Sequence, residues 1–217
     1  YTSIFGAYDL PQEPLFVPDN CQFYILTDQP LPKDSVWQKV DTAFLGEEFA
    51  QMSNTHKNRF CKMFPHKLFP QVKHSIYIDG NIKPITDFTE FINIPSRYGL
   101  LCHAHKARTC IYDEMKACKI LKKGNAAAMD DYAHVLRKTE FPVHYGMLEC
   151  NMLVRDHTNP IMVELMESWW NEFITSKTNR DQLALPYVLW KKHIAIRDIA
   201  KLGTNIGQND ALRGVPH

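Results

Sequence analysis

Three short runs in the first eighty residues share one pattern: apolar and β-branched residues in sequence, stopped by an aspartate. "TSIFGAYD" stops at Asp9, "QFYILTD" at Asp28 and "SIYID" at Asp79. Runs without polar alternation suit strands buried on both faces of a mainly parallel sheet. Residues 47–64, between the second and third runs, read as a helix that Pro65 and Pro70 close. The first part of the chain therefore reads β-β-α-β, the order of an α/β fold.

The second half carries longer elements. "YGLLCHAH" predicts a strand, "CIYDEMKACKILKKG" an amphipathic helix ended by Gly124, and "AMDDYAHVLRKTEF" another helix. "YGMLECNMLVRD" reads as a strand. "PIMVELMESWWNEFITSK" reads as a long helix opened by Pro160. "RDQLALPYVLWKKH" predicts a helix interrupted or restarted at Pro186, "IAIRDI" a late strand, and "LGTNIGQNDALRGVPH" a loop-like tail. No repeat or low-complexity linker divides the chain. The expectation is a single α/β domain, 1–217, with a mixed, mainly parallel sheet flanked by helices. Residues 1–95 would form its nucleotide- and metal-binding half, and 96–217 its acceptor half.

Composition narrows the classes. The 217 residues are 45% hydrophobic, enough for a sizeable core. A formal charge of +1 without a charged block argues against a nucleic-acid surface. No apolar run reaches the length of a membrane span, and "YTSIFGAYD" has no signal-peptide character. Cysteines 21, 61, 102, 110, 118 and 150 contain no C-x-x-C pair. "LCHAHKARTC" matches no common zinc spacing. Reduced thiols and a cytoplasmic location are the expectation.

"HSIYIDGNIKPITDF" raises the chemical question. Asp79-Gly80 between two apolar runs is a hairpin signal. The same residues end a buried strand in a carboxylate, a residue without a side chain and a second oxygen donor, Asn81, an arrangement suited to a divalent cation beside a phosphate. Ligands of open α/β sheets bind outside the carboxyl ends of the strands, where Asp9, Asp28 and Asp79 would converge. Aspartate also ends strands simply because it favours turns.

"SIYIDGNI" resembles the strand-then-D-x-D motif of GT-A-fold glycosyltransferases, with Asn81 at the second acidic position. "RFCKMFPHKLFPQVKHSIYIDGNI", the opening "YTSIFGAYD" and the late "NRDQLALPYVLWK" together resemble the mucilage- and pollen-type glycosyltransferase-like domain, and also a small chlorovirus-encoded glycosyltransferase domain. The resemblance covers most of the chain. It implies a GT-A-like domain that uses Mn²⁺ or Mg²⁺ to move a sugar from a UDP-sugar to a glycan or glycoprotein acceptor, with retention. On the viral match, that would be capsid-protein glycan synthesis in the host cytoplasm.

The resemblance also implies roles. Asp79 and Asn81 would ligate the metal with His217, and Gly80 would leave room for the phosphate. Arg59, Lys62 and Lys67 would meet the diphosphate; Arg59 and Lys62 share a helical face. Ser3, Phe5, Gly6, Ala7, Tyr8 and Asp28 would hold uracil and ribose. Asp181 and Gln182 would lie by the anomeric carbon, with Glu149 as a further carboxylate; Asp181 as a helix cap is the plain alternative. His105 and Arg108, in a cluster with His103 and Lys106, and His144, Tyr145 and Gly146 would contact acceptor or sugar. Trp169 and Trp170 would stack on sugar or pack in the core. Competing functions are a nucleotidyltransferase, a nucleotide-sugar hydrolase and a non-catalytic sugar-binding module. "FGAYDLPQEP" lacks the basic Gly-rich loop of the first, and a binding module has no need of "IDGN" and "RDQ" together.

Overall fold

The aspartate-terminated runs at the start of the chain lie side by side. The computed structural model describes residues 1–216. Its strands are β1 (Thr2–Ile4), β2 (Tyr24–Thr27), β3 (Gln38–Lys39), β4 (His74–Ile78), β5 (Ile82–Pro84), β6 (Leu100–Ala104), β7 (Leu148–Asp156) and β8 (Leu212–Gly214). β1, β2 and β3 pair in parallel. Tyr1 joins β1 to β4: its nitrogen donates to the Ile76 carbonyl at 2.7 Å, and the Ile78 amide donates to the Tyr1 carbonyl at 3.1 Å, the parallel pattern. β7 lies antiparallel between β4 and β6. The order is therefore β3-β2-β1-β4-β7-β6, with β7 alone reversed: the mixed, mainly parallel sheet that the unbroken apolar runs predict.

The helices are α1 (Gly46–Gln51), α2 (Asn54–Met63), α3 (Pro65–Leu68), α4 (Ile111–Ile120), α5 (Ala126–Lys138), α6 (Pro160–Ser176), α7 (Asp181–Lys191) and α8 (Ile196–Ile199). One face of the sheet buries Tyr77, Leu100 and Leu153 against Met63 of α2, Trp169 of α6 and Leu185 of α7. The other buries Ile4, Ile78 and Met152 under Leu202 and the β5–β8 ribbon. α4 and α5 pack on α7 through Met115, Met129 and Leu183.

Several expectations change. The helix expected over 47–64 is two helices, because Ser53 caps the second by accepting from the His56 amide at 3.2 Å. "IAIRDI" is not a strand; it contains α8. The outer edge of β6 is taken by the following residues, with the Leu202 amide donating to the Cys102 carbonyl and the Ala104 amide to the Gly203 carbonyl. The tail is not all loop, since Leu212–Gly214 pairs with β5. β4 and β5 form no hairpin, as each pairs with a different partner strand. The Ile82 amide donates to the Asp79 carbonyl at 2.9 Å, so Asp79-Gly80-Asn81 is a turn that passes the chain between two sheets.

His103 is fully buried on β6, and burial alone pulls its pKa down to about 4. Burial, with Arg155 nearby, also brings His157 down to about 4. In the unfolded chain both rings regain ordinary values near ~6.5, so between that pH and about 4 the unfolded state binds protons that the folded state refuses. Stability should therefore be full above pH ~6.5 and fall as pH drops toward 4. Urea midpoints across that range should show the slope, and His103→Gln should flatten it; a pH-independent midpoint would contradict it.

Candidate active site

β1 ends in a sharp reversal made by two successive left-handed residues, Gly6 (φ 71°) and Ala7 (φ 54°). Asp28, at the end of β2, fixes it: both carboxylate oxygens accept from the Gly6 amide, at 3.1 and 2.9 Å. Ser3 donates its hydroxyl to the Asn58 carbonyl, and Asn58 returns a bond to the Ser3 carbonyl. Phe5 is buried edge-on against Phe49. Ser3 and Phe5 thus tie the strand to α2 and the core, whereas Ala7 and Tyr8 (71% exposed) stand on the rim.

The next strand end carries the charge. Asp79 follows β4, its amide donating to the Asn151 carbonyl of β7 at 2.9 Å. Its side chain is 34% exposed, and Lys62 Nζ lies 3.3 Å from Oδ1. Lys62 is only 2% exposed and reaches 2.8 Å from Asp181 Oδ2, while Arg59 Nε lies 2.9 Å from Asp181 Oδ1. The i, i+3 spacing on α2 thus sends both cations to the first residue of α7. Burial disfavours the charge on Asp181, but Arg59 and Lys62 outweigh it and hold the carboxyl well below the usual range. Lys62 also lies 5.2 Å from the Tyr77 ring centroid. Its backbone is clamped too, because Arg155 of β7 donates to the Lys62 carbonyl and, at 2.7 Å, to the Tyr1 hydroxyl, which itself donates to that carbonyl.

Asp181 does not cap α7. Arg180 holds the cap position, without a side-chain cap bond, and Asp181 points at the α2 cations. The Asp181 carbonyl accepts from Trp169 Nε1 at 2.8 Å, which makes Trp169 a core residue. Trp170 packs edge-on against Phe60 and Phe64. Gln182 Nε2 donates to the Leu148 carbonyl, binding α7 to the start of β7. Lys67 lies apart on the surface, 3.8 Å from Glu167.

The residues expected around the acceptor divide into anchors and rim. His105 Nδ1 accepts from the Ala107 and Arg108 amides, so Nε2 carries the proton and faces Glu114 at 3.4 Å. Arg108 also pairs with Glu114. Glu149 accepts from the Lys106 amide at 3.4 Å and the Ile206 amide at 3.3 Å. These groups hold the loop after β6. Tyr145 donates to the Ile194 carbonyl, and the Gly146 amide donates to the Thr109 carbonyl. His144 is exposed beside the Thr109 hydroxyl. Glu114, 4% exposed, escaped the sequence reading, although it lies within the apolar stripe of Ile111, Met115 and Cys118, where a carboxylate needs a partner.

The donor set fits a hard divalent cation. Asp79 offers a partly exposed carboxylate, and two residues on Asn81 spends its amide nitrogen on the Val215 carbonyl at 3.1 Å. No group of three His, Cys, Asp or Glu side chains forms a metal cage among the described residues. A one- or two-ligand protein site completed by phosphate oxygens and water is the usual arrangement for Mg²⁺. His217, expected as a third ligand, lies outside the described residues. Gly80 is required by packing: a Cβ there would stand 2.7 Å from the Ile4 side chain and 3.3 Å from the Asp9 Cβ.

Comparison with known proteins follows this geometry. The family described as "TOD1/MUCI70, glycosyltransferase-like domain" matches residues 36–206. No match was found among curated protein sequences. Among solved structures, the apo WbbM bifunctional glycosyltransferase is 16% identical with a TM-score of 0.46, covering 76% of this chain and 31% of its own. Mouse xyloside xylosyltransferase 1, apo form, is 14% identical with a TM-score of 0.38, covering 61% of this chain and 47% of its own. The chain thus spans less than half the length of each. No helix among the described residues is long and apolar enough to cross a membrane.

Asp181→Asn would leave the buried Lys62 and the partly exposed Arg59 without their shared anion. The expected loss is about 3–5 kcal/mol at pH 7, the cost of breaking a buried pair, against about 1 kcal/mol for a lost cap. Because the folded carboxyl is depressed, the wild-type advantage should be full above the ordinary carboxylate pKa, shrink progressively as pH falls below it, and be gone below the folded value. Urea denaturation of both proteins measures it, and a cap-sized loss would contradict the assignment.

Proposed function

From the premise that the chain belongs to the TOD1/MUCI70 glycosyltransferase-like domain family, we propose that it transfers a sugar from a UDP-sugar to a glycan or glycoprotein acceptor, with a divalent cation at Asp79 and Asn81. One observation carries the reading: the charges of Arg59 and Lys62 are already matched by Asp181 and Asp79. A nucleoside diphosphate brought to this cluster adds negative charge that the protein does not balance. When bound, the cation would supply that balance and Lewis-acid stabilisation of the departing diphosphate.

The protein's own groups take the remaining work. Arg59, partly exposed, would meet phosphate oxygens, while the buried Lys62 would hold Asp79 and Asp181 in place behind it, so little reorganisation is needed as charge develops. Ala7 and Tyr8 on the rim would cover the base, with the Gly6 turn held open by Asp28. Gln182, tied to Leu148, would present its amide to the sugar. Asp181 is buried between two cations and Glu149 is engaged by two backbone amides, so neither is free as a nucleophile or base. That supports retention by front-face attack: the acceptor oxygen bonds to the anomeric carbon as the bond to the diphosphate breaks. The hydroxyl proton then passes to the departing phosphate oxygen.

Calorimetry with UDP tests the binding half. Affinity should be at least about tenfold higher, ~1.4 kcal/mol, with Mn²⁺ than with chelator. Asp79→Ala should abolish the difference, and Asn81→Asp should keep or strengthen it. Equal affinity with and without the metal would contradict the reading. For the chemical step, Gln182→Ala should bind UDP-sugar normally but transfer it more slowly in single-turnover assays. An unchanged rate would remove Gln182 from the site.

A further inference from the structure

Asn151, on β7 beside Asp79, carries an amide side chain that the protein does not use. Its backbone carbonyl accepts from the Asp79 amide at 2.9 Å. Its side-chain Oδ1 is buried and accepts no hydrogen bond, and Nδ2 donates none among the described residues. We propose that this amide binds a hydroxyl of the transferred sugar and so helps to select the donor. The proposal rests on the glycosyl-transfer reading.

The unused amide is the first argument. A buried acceptor without a donor is destabilising, and nearly all such atoms in folded proteins find a partner. The other polar groups of the cluster are matched by charge: Arg59 Nε faces Asp181 Oδ1, and Lys62 faces Asp181 Oδ2. Asn151 has no such match. Oδ1 is its buried end, and a half-turn about χ2 exchanges Oδ1 with Nδ2, because the two are nearly isosteric. The side chain can therefore offer a ligand either an acceptor or a donor. A sugar hydroxyl both donates and accepts, and an uncharged amide suits it.

Position is the second. The Asp79 amide bonds to the Asn151 carbonyl, and Gln182 Nε2 bonds to the Leu148 carbonyl. Those two points on β7 are three residues apart, at most about 11 Å of extended chain, room for one pyranose and its bond to phosphate. With the diphosphate by Asp79 and the anomeric carbon toward Gln182, the transferred sugar lies along residues 148–151. Leu148 and Cys150 are buried in the core with Trp169 and Leu185. Both Glu149 oxygens are taken, by the Lys106 and Ile206 amides. Asn151 is the polar side chain of this stretch that is left for the sugar. A site that hydrogen-bonds a hydroxyl rejects sugars that cannot supply it, since its own polar group is then left unpaired.

The unmet hydrogen bond supplies the test. Asn151→Ala removes an unsatisfied acceptor, so the melting temperature should hold or rise. Wild type and variant are compared by calorimetry with Mn²⁺ for UDP, UDP-glucose, UDP-galactose, UDP-xylose and UDP-rhamnose. The expected result is unchanged affinity for UDP, about tenfold weaker binding of the sugar nucleotide that wild type holds best, and a narrower preference among the four. Unchanged affinity for every sugar nucleotide would overturn the proposal, as would a wild type that binds UDP but none of them. An equal loss for UDP and sugar nucleotides would also overturn it, because Asn151 would then serve the metal, the diphosphate or the fold. Failure of wild type to bind UDP would instead overturn the transfer reading beneath it.

Discussion

A lysine that is 2% exposed must find its counter-charges inside the protein, and Lys62 finds them on two different elements. Asp79 ends the central strand β4, and Asp181 begins α7. Holding both within 3.3 Å of one ammonium fixes the separation of those elements and, through Arg59, the rotation of α2 against them. Buried pairs gain little net stability over an apolar replacement but are costly to break. The cluster therefore specifies geometry more than it adds stability. It also sets a charge balance: Lys62 and Arg59 are matched within the protein by Asp79 and Asp181.

The sheet order explains why this cluster sits where several strand ends meet. Tyr1 carries β1 onto β4, which brings the ends of β1, β2 and β4 together with Gly6, Asp28 and Asp79. β7 runs the other way, so its start, with Leu148 and Glu149, arrives at the same edge. The helices behind it are held by Trp169, whose indole bonds to the Asp181 carbonyl, so core packing reaches the backbone of the residue that neutralises Lys62.

Much of this was legible in the sequence, for physical reasons. Strands buried on both faces leave unbroken apolar runs, so β1, β2 and β4 announce themselves, and Pro160 marks the start of α6. Long-range choices were not legible. Asp79-Gly80 is the same local signal whether β4 pairs with β5 or with β7, and only the remote partners decide. Asp181 at the head of a helix looks like a cap until α2 is placed beside it. α8 has the composition of a strand, but the edge it would occupy is taken by residues 202–203. Glu114 was within reach: a carboxylate inside an apolar helical stripe predicts a buried partner, and His105 and Arg108 supply it.

The central claim is that Lys62 and Asp181 act as one buried unit that organises the site. A double-mutant cycle of Lys62→Met, Asp181→Leu and the paired variant, read as unfolding free energy in urea at pH 7, measures this directly. The account predicts that each single change leaves the remaining charge with one partner in place of two, Asp181 with Arg59 or Lys62 with Asp79, and that the paired change costs less than the sum of the singles. The resulting interaction energy would lie at the upper end of the range for contacting residues, about 2–3 kcal/mol. An interaction within about 0.5 kcal/mol of zero, the level of independent sites, would contradict it.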